Sequence, residues 1–456
     1  MPSLKSFDFY RKIPMDLTES TLQGAVLSTC AVFFMAILFV CELTAFMSPE
    51  VYSTVMLDTN QDAKLRINFN ITMTDLPCEY ATVDVLDVLG TNRVNVTKNI
   101  VKWHTDAEGK KVEFFGRNRE QEELRHDDHH PSLDIAHADG EHAIPLVESN
   151  FNDFVNGNEF VMADFYAPWC IWCQRLAPTW EVRGKELPTT NSSFAVVKID
   201  CVENRALCHD KKILAFPTIK FFKWGKPEEA DYKKDRSLAS FAEYAGALID
   251  DNVQVVKKYT RLTKDHVGCM LSGFIMVNRV PGNFHIEAQS KHHTVNPALA
   301  NVSHKVNHLS FGSQFPMRNR VARGELEGLL EGNMEVEGEE YSAPQLHSAP
   351  HHYIKVVSTF LGREWASMNS FMGSKGLKDM LQYQFIMNSQ VMPYEIGAVP
   401  EAKFSYDLSP MCVHIKTRGR KWYDFITSVL AIVGGTFSLV GFIDGVLFRI
   451  VKQKRV

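Results

Sequence analysis

Three things are scarce in this chain of 456 residues, and each scarcity narrows its function. Positive charge is not in excess: 49 Lys and Arg stand against 54 Asp and Glu, a formal net charge of -5, so nothing points to a nucleic-acid partner. Long apolar runs are confined to two stretches, around 24–43 and 423–448. The third scarcity is of metal-ligand pairs. Cys170 and Cys173 form a C-x-x-C with no second C-x-x-C in the chain and no H-x-x-H close to it in sequence, which argues against a zinc site. No metal and no cofactor are assigned.

What is present points to an oxidising compartment. The length allows two or three domains. Nine cysteines accompany four glycosylation sequons, at Asn70, Asn95, Asn191 and Asn301. Each sequon is a weak signal, but all four lie between the two apolar runs. Together they favour an oxidising lumen for that region.

The first run, GAVLSTCAVFFMAILFVCEL, is long enough for a helix to cross the hydrocarbon core of a bilayer. A cleaved signal peptide would have a shorter apolar stretch and a small-residue cleavage site, so a retained anchor is expected. The second run carries Gly434 and Ser438 at a spacing that lets helices approach closely, which allows homo- or hetero-oligomers through the spans. Two spans put both termini on one side. Lys5, Arg11, Lys12 and the basic tail then face the cytosol, although Arg418, Arg420 and Lys421 run against the rule. Lys452 and Lys454 in KQKRV fit a dilysine retrieval signal read by vesicle coat proteins; a basic stop-transfer flank is the plainer reading.

The most informative stretch is Phe160–Trp180, FVMADFYAPWCIWCQRLAPTW. An apolar strand delivers Cys170 to the mouth of a helix, where backbone N–H groups and the helix dipole favour a thiolate. A thiolate attacks disulfides, and a second Cys three residues on can resolve the mixed disulfide. A structural disulfide remains the alternative. Asp164 lies in the strand before the pair, Lys198 falls in the next apolar run (FAVVKID), and Phe216-Pro217-Thr218 precedes another strand.

These residues resemble, in order and in wording, a thioredoxin-fold domain of the protein disulfide isomerase type, over 144–251. The resemblance implies Cys170 as nucleophile and Cys173 as resolving thiol. It implies Asp164 with Lys198 as a proton relay, Pro217 as a cis proline, and Arg236 as an arginine that tunes the resolving thiol. It also implies a structural disulfide between Cys201 and Cys208. One departure stands out. Isomerases of this type usually carry Gly-His between the cysteines, and here Ile171-Trp172 stands there. Tryptophan supplies no cation to the thiolate, so the pair is expected to be less oxidising than in such isomerases.

The flanks read differently. Phe46–Phe115 and 258–422 alternate apolar and polar residues with Gly and Pro punctuation, as strands do. Between the first of them and the redox segment, 116–143 is charged and His-rich. His126, Asp127, Asp128, His129 and His130 offer metal-type ligands there, but a solvated linker is the simpler expectation. Ser149 is a candidate cap for the helix NFNDFV.

The phrases FDFYRKIPMDLTE, LPCEYATVDVLD, GCMLSGFIMVNRVPGNFHI, VNHLSFG, YDLSP and AIVGGTFSLVGFID resemble the ER-vesicle and ERGIC cargo-receptor family. The combination is similar to the plant-type protein disulfide isomerase C subfamily. It implies an α/β thioredoxin-fold domain inserted in a β-rich, sandwich-like lumenal domain, flanked by two transmembrane helices.

The expected division is a cytosolic segment 1–23, a first span 24–46, β-rich 47–115, a linker 116–143, the thioredoxin-like part 144–257, β-rich 258–422, a second span 423–448 and a cytosolic tail 449–456. Cys78 and Cys269 fall in receptor-like phrases and are expected to bridge across the insertion, leaving Cys412 free or intermolecular. Two functions follow from the resemblance. One is a membrane-held thiol–disulfide oxidoreductase or isomerase acting on lumenal secretory clients in the endoplasmic reticulum, cycling toward the Golgi. The other is an ER–Golgi cargo receptor whose redox domain is an accessory grip.

Overall fold

The structure is a computed structural model. It describes residues 22–48, 50–60, 62–88, 92–93, 98–117, 124–127, 140–190, 193–227, 231–250, 268–313, 336–361, 380–418 and 420–453. The chain divides into two compact units, 1–55 with 360–380 and 414–456, and 56–359 with 381–413.

The first unit holds two long helices, Leu22–Met47 and Trp422–Gln453. Over Ala25–Met47 and Trp422–Val446 their mean hydropathy is 2.4 and 2.0, so both are long and apolar enough to cross a membrane. They lie against each other, with the rings of Phe46 and Phe425 4.6 Å apart and Arg420 2.9 Å from Glu42. Phe33, Phe34, Phe437 and Phe442 are left exposed. An apolar surface of this kind suits lipid rather than water.

In the second unit, 144–249 forms a five-stranded sheet ordered Lys226–Pro227, Thr218–Lys223, Phe160–Tyr166, Phe194–Asp200, Ile144–Leu146. Phe160–Tyr166 runs parallel to Phe194–Asp200 and antiparallel to Thr218–Lys223. Helices on both faces explain why Phe160–Tyr166 is apolar throughout but for Asp164 and the terminal Tyr166 hydroxyl. Alternate residues serve opposite cores. Val161, Ala163 and Phe165 pack with Phe151 and Phe222, while Phe160 and Met162 pack with Trp180, Phe221, Phe241 and Tyr244. Trp180, fully buried, donates its indole N–H to the Val197 carbonyl at 3.1 Å.

The helix expected to be capped by Ser149 is built otherwise. It spans Glu148–Gly157, and Val147 occupies the N-cap. The Asn150 side chain accepts from the Val147 N–H at 2.8 Å, and the Asn204 side chain accepts from the Glu148 N–H at 2.9 Å. Ser149 therefore falls inside the first turn, because asparagine side chains have already taken the free donors. The closing helix, Leu238–Ile249, is capped by Ser237.

Two antiparallel sheets make up the rest of this unit. One runs Glu340–Tyr341, His304–Phe311, Lys64–Met73, Gly268–Asn278, Ile100–Thr105, Lys111–Arg117; the other contains Met380–Pro393, Ser348–Leu361, Glu401–Arg418, Gly282–Ala288, Ala81–Asp87 and Asn92–Arg93. Their inner faces share one core. Phe69 from the first sheet stacks on Phe284 at 5.5 Å, and Phe284 stacks on Phe404 at 4.7 Å. Strands from before and after the thioredoxin-like part pair directly, Lys64–Met73 with Gly268–Asn278. A disulfide joins Cys78 to Cys269 at one end of that seam. Gly273 adopts φ +156°, and a Cβ there would sit 2.1 Å from the Asn99 carbonyl oxygen, so this crossing point admits glycine alone. The thioredoxin fold is thus an insertion in a discontinuous β-rich body.

Candidate redox site

The strand Phe160–Tyr166 ends in the turn Ala167-Pro168-Trp169, and Cys170 immediately precedes the helix Ile171–Thr190. The Cys170 N–H donates to the Ala167 carbonyl at 3.0 Å, which closes the turn. The Cys173 N–H then points at the Cys170 sulfur, 3.2 Å away. This is the unsatisfied first turn of a helix used as an anion site. Both sulfurs are unbridged and buried, 1% and 4% exposed, whereas their neighbours Trp169 and Ile171 are 54% and 67% exposed.

The two thiols are driven in opposite directions. A hydrogen bond from the Cys173 thiol, opposed by burial and helped by the Thr294 hydroxyl and the N–H groups of Cys173 and Trp172, brings Cys170 down to about 6. Cys173 is pushed well above the ordinary thiol range by burial, by the hydrogen bond it gives Cys170, and by the nearby charges of Asp164 and Cys170. One sulfur is ionised near neutrality while the other keeps its proton. That is the division of labour disulfide exchange needs.

Beneath the pair lies Asp164, 4% exposed, with its Oδ1 lacking any hydrogen-bond partner. Burial raises its pKa to about 7, partly offset by Arg236 and Lys198 and reinforced by Cys170. A carboxyl balanced there can take a proton from Cys173 or return one. The sequence reading placed Lys198 with Asp164. In the structure the Lys198 ammonium is held by Glu181 at 2.8 Å and by Glu141 at 3.4 Å, and it reaches Asp164 through its field only. Glu181, in the redox helix, is 2% exposed and accepts the His142 and Ala143 N–H groups at 2.9 and 3.0 Å. Burial opposes its ionisation, but Lys198 and these two donors hold it below the ordinary carboxylate value.

The Phe216–Pro217 peptide is cis, and the Cys170 thiol is 3.6 Å from the Phe216 carbonyl oxygen. Arg236 is 3% exposed. It donates to the His292 carbonyl at 2.9 Å and lies 3.3 Å from the His126 ring. Cys170, Cys173, Asp164, Pro217 and Arg236 therefore converge at one place.

Several residues of the site carried no signal in the sequence. Trp172 is stacked on one side by His126, ring centroids 5.5 Å apart, and met edge-on by His292 at 5.4 Å. His126 comes from the segment expected to be solvated. There its neighbour Asp127 accepts from the Leu238 N–H at 2.7 Å, so 124–127 is docked on the thioredoxin fold rather than free. Asp128, His129 and His130 lie outside the described residues. Burial, with Arg236 and Arg175 nearby, lowers the His126 pKa to about 4. It stays neutral and does not replace the cation missing between the cysteines.

Cys201 and Cys208 are disulfide-bonded across the turn that opens the helix Arg205–Asp210. Cys412 is unbridged and buried, donating to the Leu57 carbonyl at 3.4 Å, which leaves it inaccessible to an intermolecular bridge. Of the sequon asparagines, Asn70 lies in the strand Lys64–Met73. Asn301 is half-buried, its amide donating to Asp75 at 2.7 Å. Asn95 and Asn191 fall outside the described residues, as does Lys454; Lys452 is within the helix Trp422–Gln453.

Comparison with known proteins follows the same three-part layout. Residues 4–94 match the Endoplasmic Reticulum-Golgi Intermediate Compartment (ERGIC) family, 142–247 the thioredoxin family and 251–444 the endoplasmic reticulum vesicle transporter family. The chain is 33% identical over 489 residues to protein disulfide isomerase-like 5-4 of Oryza sativa subsp. japonica, covering 99% of this chain and 97% of that protein. It is 31% identical over 478 residues to protein disulfide-isomerase 5-4 of Arabidopsis thaliana, covering 97% and 95%. To the probable endoplasmic reticulum-Golgi intermediate compartment protein 3 of Dictyostelium discoideum it is 25% identical over 472 residues, covering 99% and 97%. With a dithiol thioredoxin fold seated inside a receptor-like β body, and end-to-end similarity to such relatives, the chain belongs to the family of the 5-type protein disulfide isomerases.

Proposed function

We propose that this chain is a membrane-held thiol–disulfide oxidoreductase and isomerase of the early secretory pathway. Its catalytic thiols are Cys170 and Cys173. In the reductive direction the Cys170 thiolate attacks one sulfur of a client disulfide; that S–S bond breaks, the client's other sulfur leaves as a thiolate, and a Cys170–client disulfide forms. Cys173 then loses its proton toward Asp164 and attacks Cys170. The mixed disulfide breaks, the client's second thiolate leaves, and a Cys170–Cys173 disulfide remains. The client is reduced by two electrons and the site oxidised by two. The reverse sequence oxidises a dithiol client, and attack followed by return of a different client thiolate rearranges its bonds with no net electron transfer.

The observation that carries this reading is geometric: two unbridged, buried sulfurs share one helix mouth, the Cys173 N–H lies 3.2 Å from the Cys170 sulfur, and a buried carboxylate, Asp164, belongs to the strand that leads into it. The test is refolding of a scrambled, disulfide-containing substrate by the full-length protein in detergent. Cys170→Ser is expected to abolish turnover, and Cys173→Ser to leave stoichiometric attack without release. Full activity in Cys170→Ser would contradict it.

A second reading is favoured by the β-rich body and its receptor-type relatives. In it the chain escorts lumenal clients between endoplasmic reticulum and Golgi, with both termini in the cytosol, and the dithiol checks or holds what it carries. Loss of client transport with normal client disulfides in a Cys170→Ser, Cys173→Ser double variant would favour escort over catalysis.

A further inference from the structure

The short strand Thr294–Val295 belongs to the β-rich body, yet it pairs antiparallel with Ala215–Phe216 beside the cis proline, Ala215 opposite Val295 and Phe216 opposite Thr294. The Asn296 N–H extends the ladder by donating to the Leu214 carbonyl at 2.8 Å. Ala215, 1% exposed, packs with Val295 in the β-rich core. Two residues before Thr294, Arg236 donates to the His292 carbonyl and Trp172 meets the His292 ring. Backbone pairing, apolar packing and a buried cation thus fix the same segment against the redox motif.

That seating matters because of where Phe216 is. Its carbonyl lies 3.6 Å from the Cys170 sulfur, and Thr294 is its register partner. Pairing with Phe216 sets Thr294 beside the Cys170 sulfur, where its hydroxyl helps to lower the Cys170 pKa. The other donors to that sulfur, the Cys173 thiol and the Cys173 and Trp172 N–H groups, all come from the C-x-x-C turn itself. The charged groups that face it are Asp164 and Arg236.

We propose that Thr294 is a working residue of the redox site: its hydroxyl donates to the Cys170 thiolate, so that the β-rich body completes a site whose motif lacks a histidine. The assignment rests on Cys170 being the attacking thiol. It carries a consequence for clients. The strand that supplies the donor also covers the sulfur, so a client peptide that takes its place along Ala215–Phe216 removes the Thr294 donor as it arrives. The thiolate is stabilised while covered and becomes the stronger nucleophile once reached, since intrinsic nucleophilicity rises with thiol pKa.

The test is the pH dependence of Cys170 alkylation by iodoacetamide in the reduced, full-length protein in detergent, read at the Cys170 peptide by mass spectrometry. Thr294→Val keeps the β-branched shape and removes the hydroxyl; Thr294→Ser keeps the hydroxyl. Loss of one hydrogen bond to a charged sulfur is expected to raise the midpoint by about one pH unit in Thr294→Val, with Thr294→Ser at the wild-type midpoint. Thr294→Ala carries the same test should the valine variant fail to fold. A hydroxyl-free variant that titrates with the wild type overturns the role of Thr294 while leaving the dithiol reading intact. A wild-type midpoint near the ordinary thiol value of 9.0 overturns both.

Discussion

The Cys170 sulfur lies 3.2 Å from the amide nitrogen of Cys173, so the second cysteine stabilises the first through its backbone as well as through its thiol. The same three-residue spacing places the Cys173 sulfur where it can later displace the client. Burial supplies the rest. Both sulfurs sit under a surface of Trp169, Trp172 and the cis-proline loop, and water, which would level their acidities, is kept away.

Asp164 tests the proton path. With its pKa raised to about 7 by burial, it is a poised base near neutral pH. Asp164→Asn is expected to slow release from the mixed disulfide by at least ~10-fold, with the first attack little changed, since general-base loss commonly costs more than that. Single-turnover kinetics separate the two steps. Stability moves the other way. The folded state holds the Asp164 proton up to about pH 7 while the unfolded chain loses it near 3.8, so ionisation destabilises the fold progressively above pH 4. Asparagine is therefore expected to stabilise the protein at pH 7 by about 2 to 4 kcal/mol, read by denaturant unfolding of both proteins.

Trp172 is expected to set the redox poise. Replacing it with histidine puts an ionisable ring beside the Cys170 thiolate, which favours the reduced dithiol. The reduction potential of Trp172→His, measured by equilibration with glutathione, is expected to rise by roughly 30 mV or more, equivalent to about 1.4 kcal/mol. An unchanged or lower potential would show that the residue between the cysteines does not set the poise here.

A buried histidine pair gives the β-rich body an acid limit. The Nε2 atoms of His304 and His352 are 2.9 Å apart, and both residues are buried. His304 Nδ1 must donate to the Val302 carbonyl at 2.9 Å. Its Nε2 is then bare and accepts from His352, whose own Nδ1 accepts from the Ser389 hydroxyl at 2.7 Å. His304 cannot take a further proton without setting N–H against N–H, and a proton on His352 Nδ1 would force the Ser389 hydroxyl to turn from donor to acceptor. Burial accordingly lowers them to about 4 and about 2. The folded state thus binds fewer protons than the unfolded chain once pH falls below 6.5, and stability declines from there down through about 4. At pH 5 each ring costs roughly 2 kcal/mol. Thermal unfolding at pH 7 and pH 5 is expected to show a smaller acid loss for His352→Gln than for the wild type.

How much of this was legible in the sequence depends on distance along the chain. Cys170, Cys173 and Asp164 were readable because strand, turn and helix mouth are contiguous, and local backbone geometry fixes how they meet. The insertion was readable because long receptor-like phrases lie on both sides of it, and Cys78 and Cys269 each sit in one of them. The Lys198 pairing went differently because Glu181 lies two and a half turns into the redox helix, a position that looks like any solvated acid until the strand Phe194–Asp200 is laid beside it. His126, His292 and Thr294 were invisible for a related reason. His126 and His292 meet Trp172, and Thr294 comes beside Cys170, only through packing between separate parts of the chain, and no periodicity or motif records such a contact. Ser149 was misjudged on propensity alone, since a cap is chosen by which side chain reaches the free N–H groups, and two asparagines reach them first.

The most direct measurement is covalent capture. Full-length Cys173→Ser, expressed in cells with an intact secretory pathway and quenched with acid, should carry client proteins bound through Cys170, as reducible high-mass adducts absent from Cys170→Ser, Cys173→Ser. Equal adducts in both variants, or none in either under conditions where the protein is folded and reduced, would contradict a site in which Cys170 attacks and Cys173 releases.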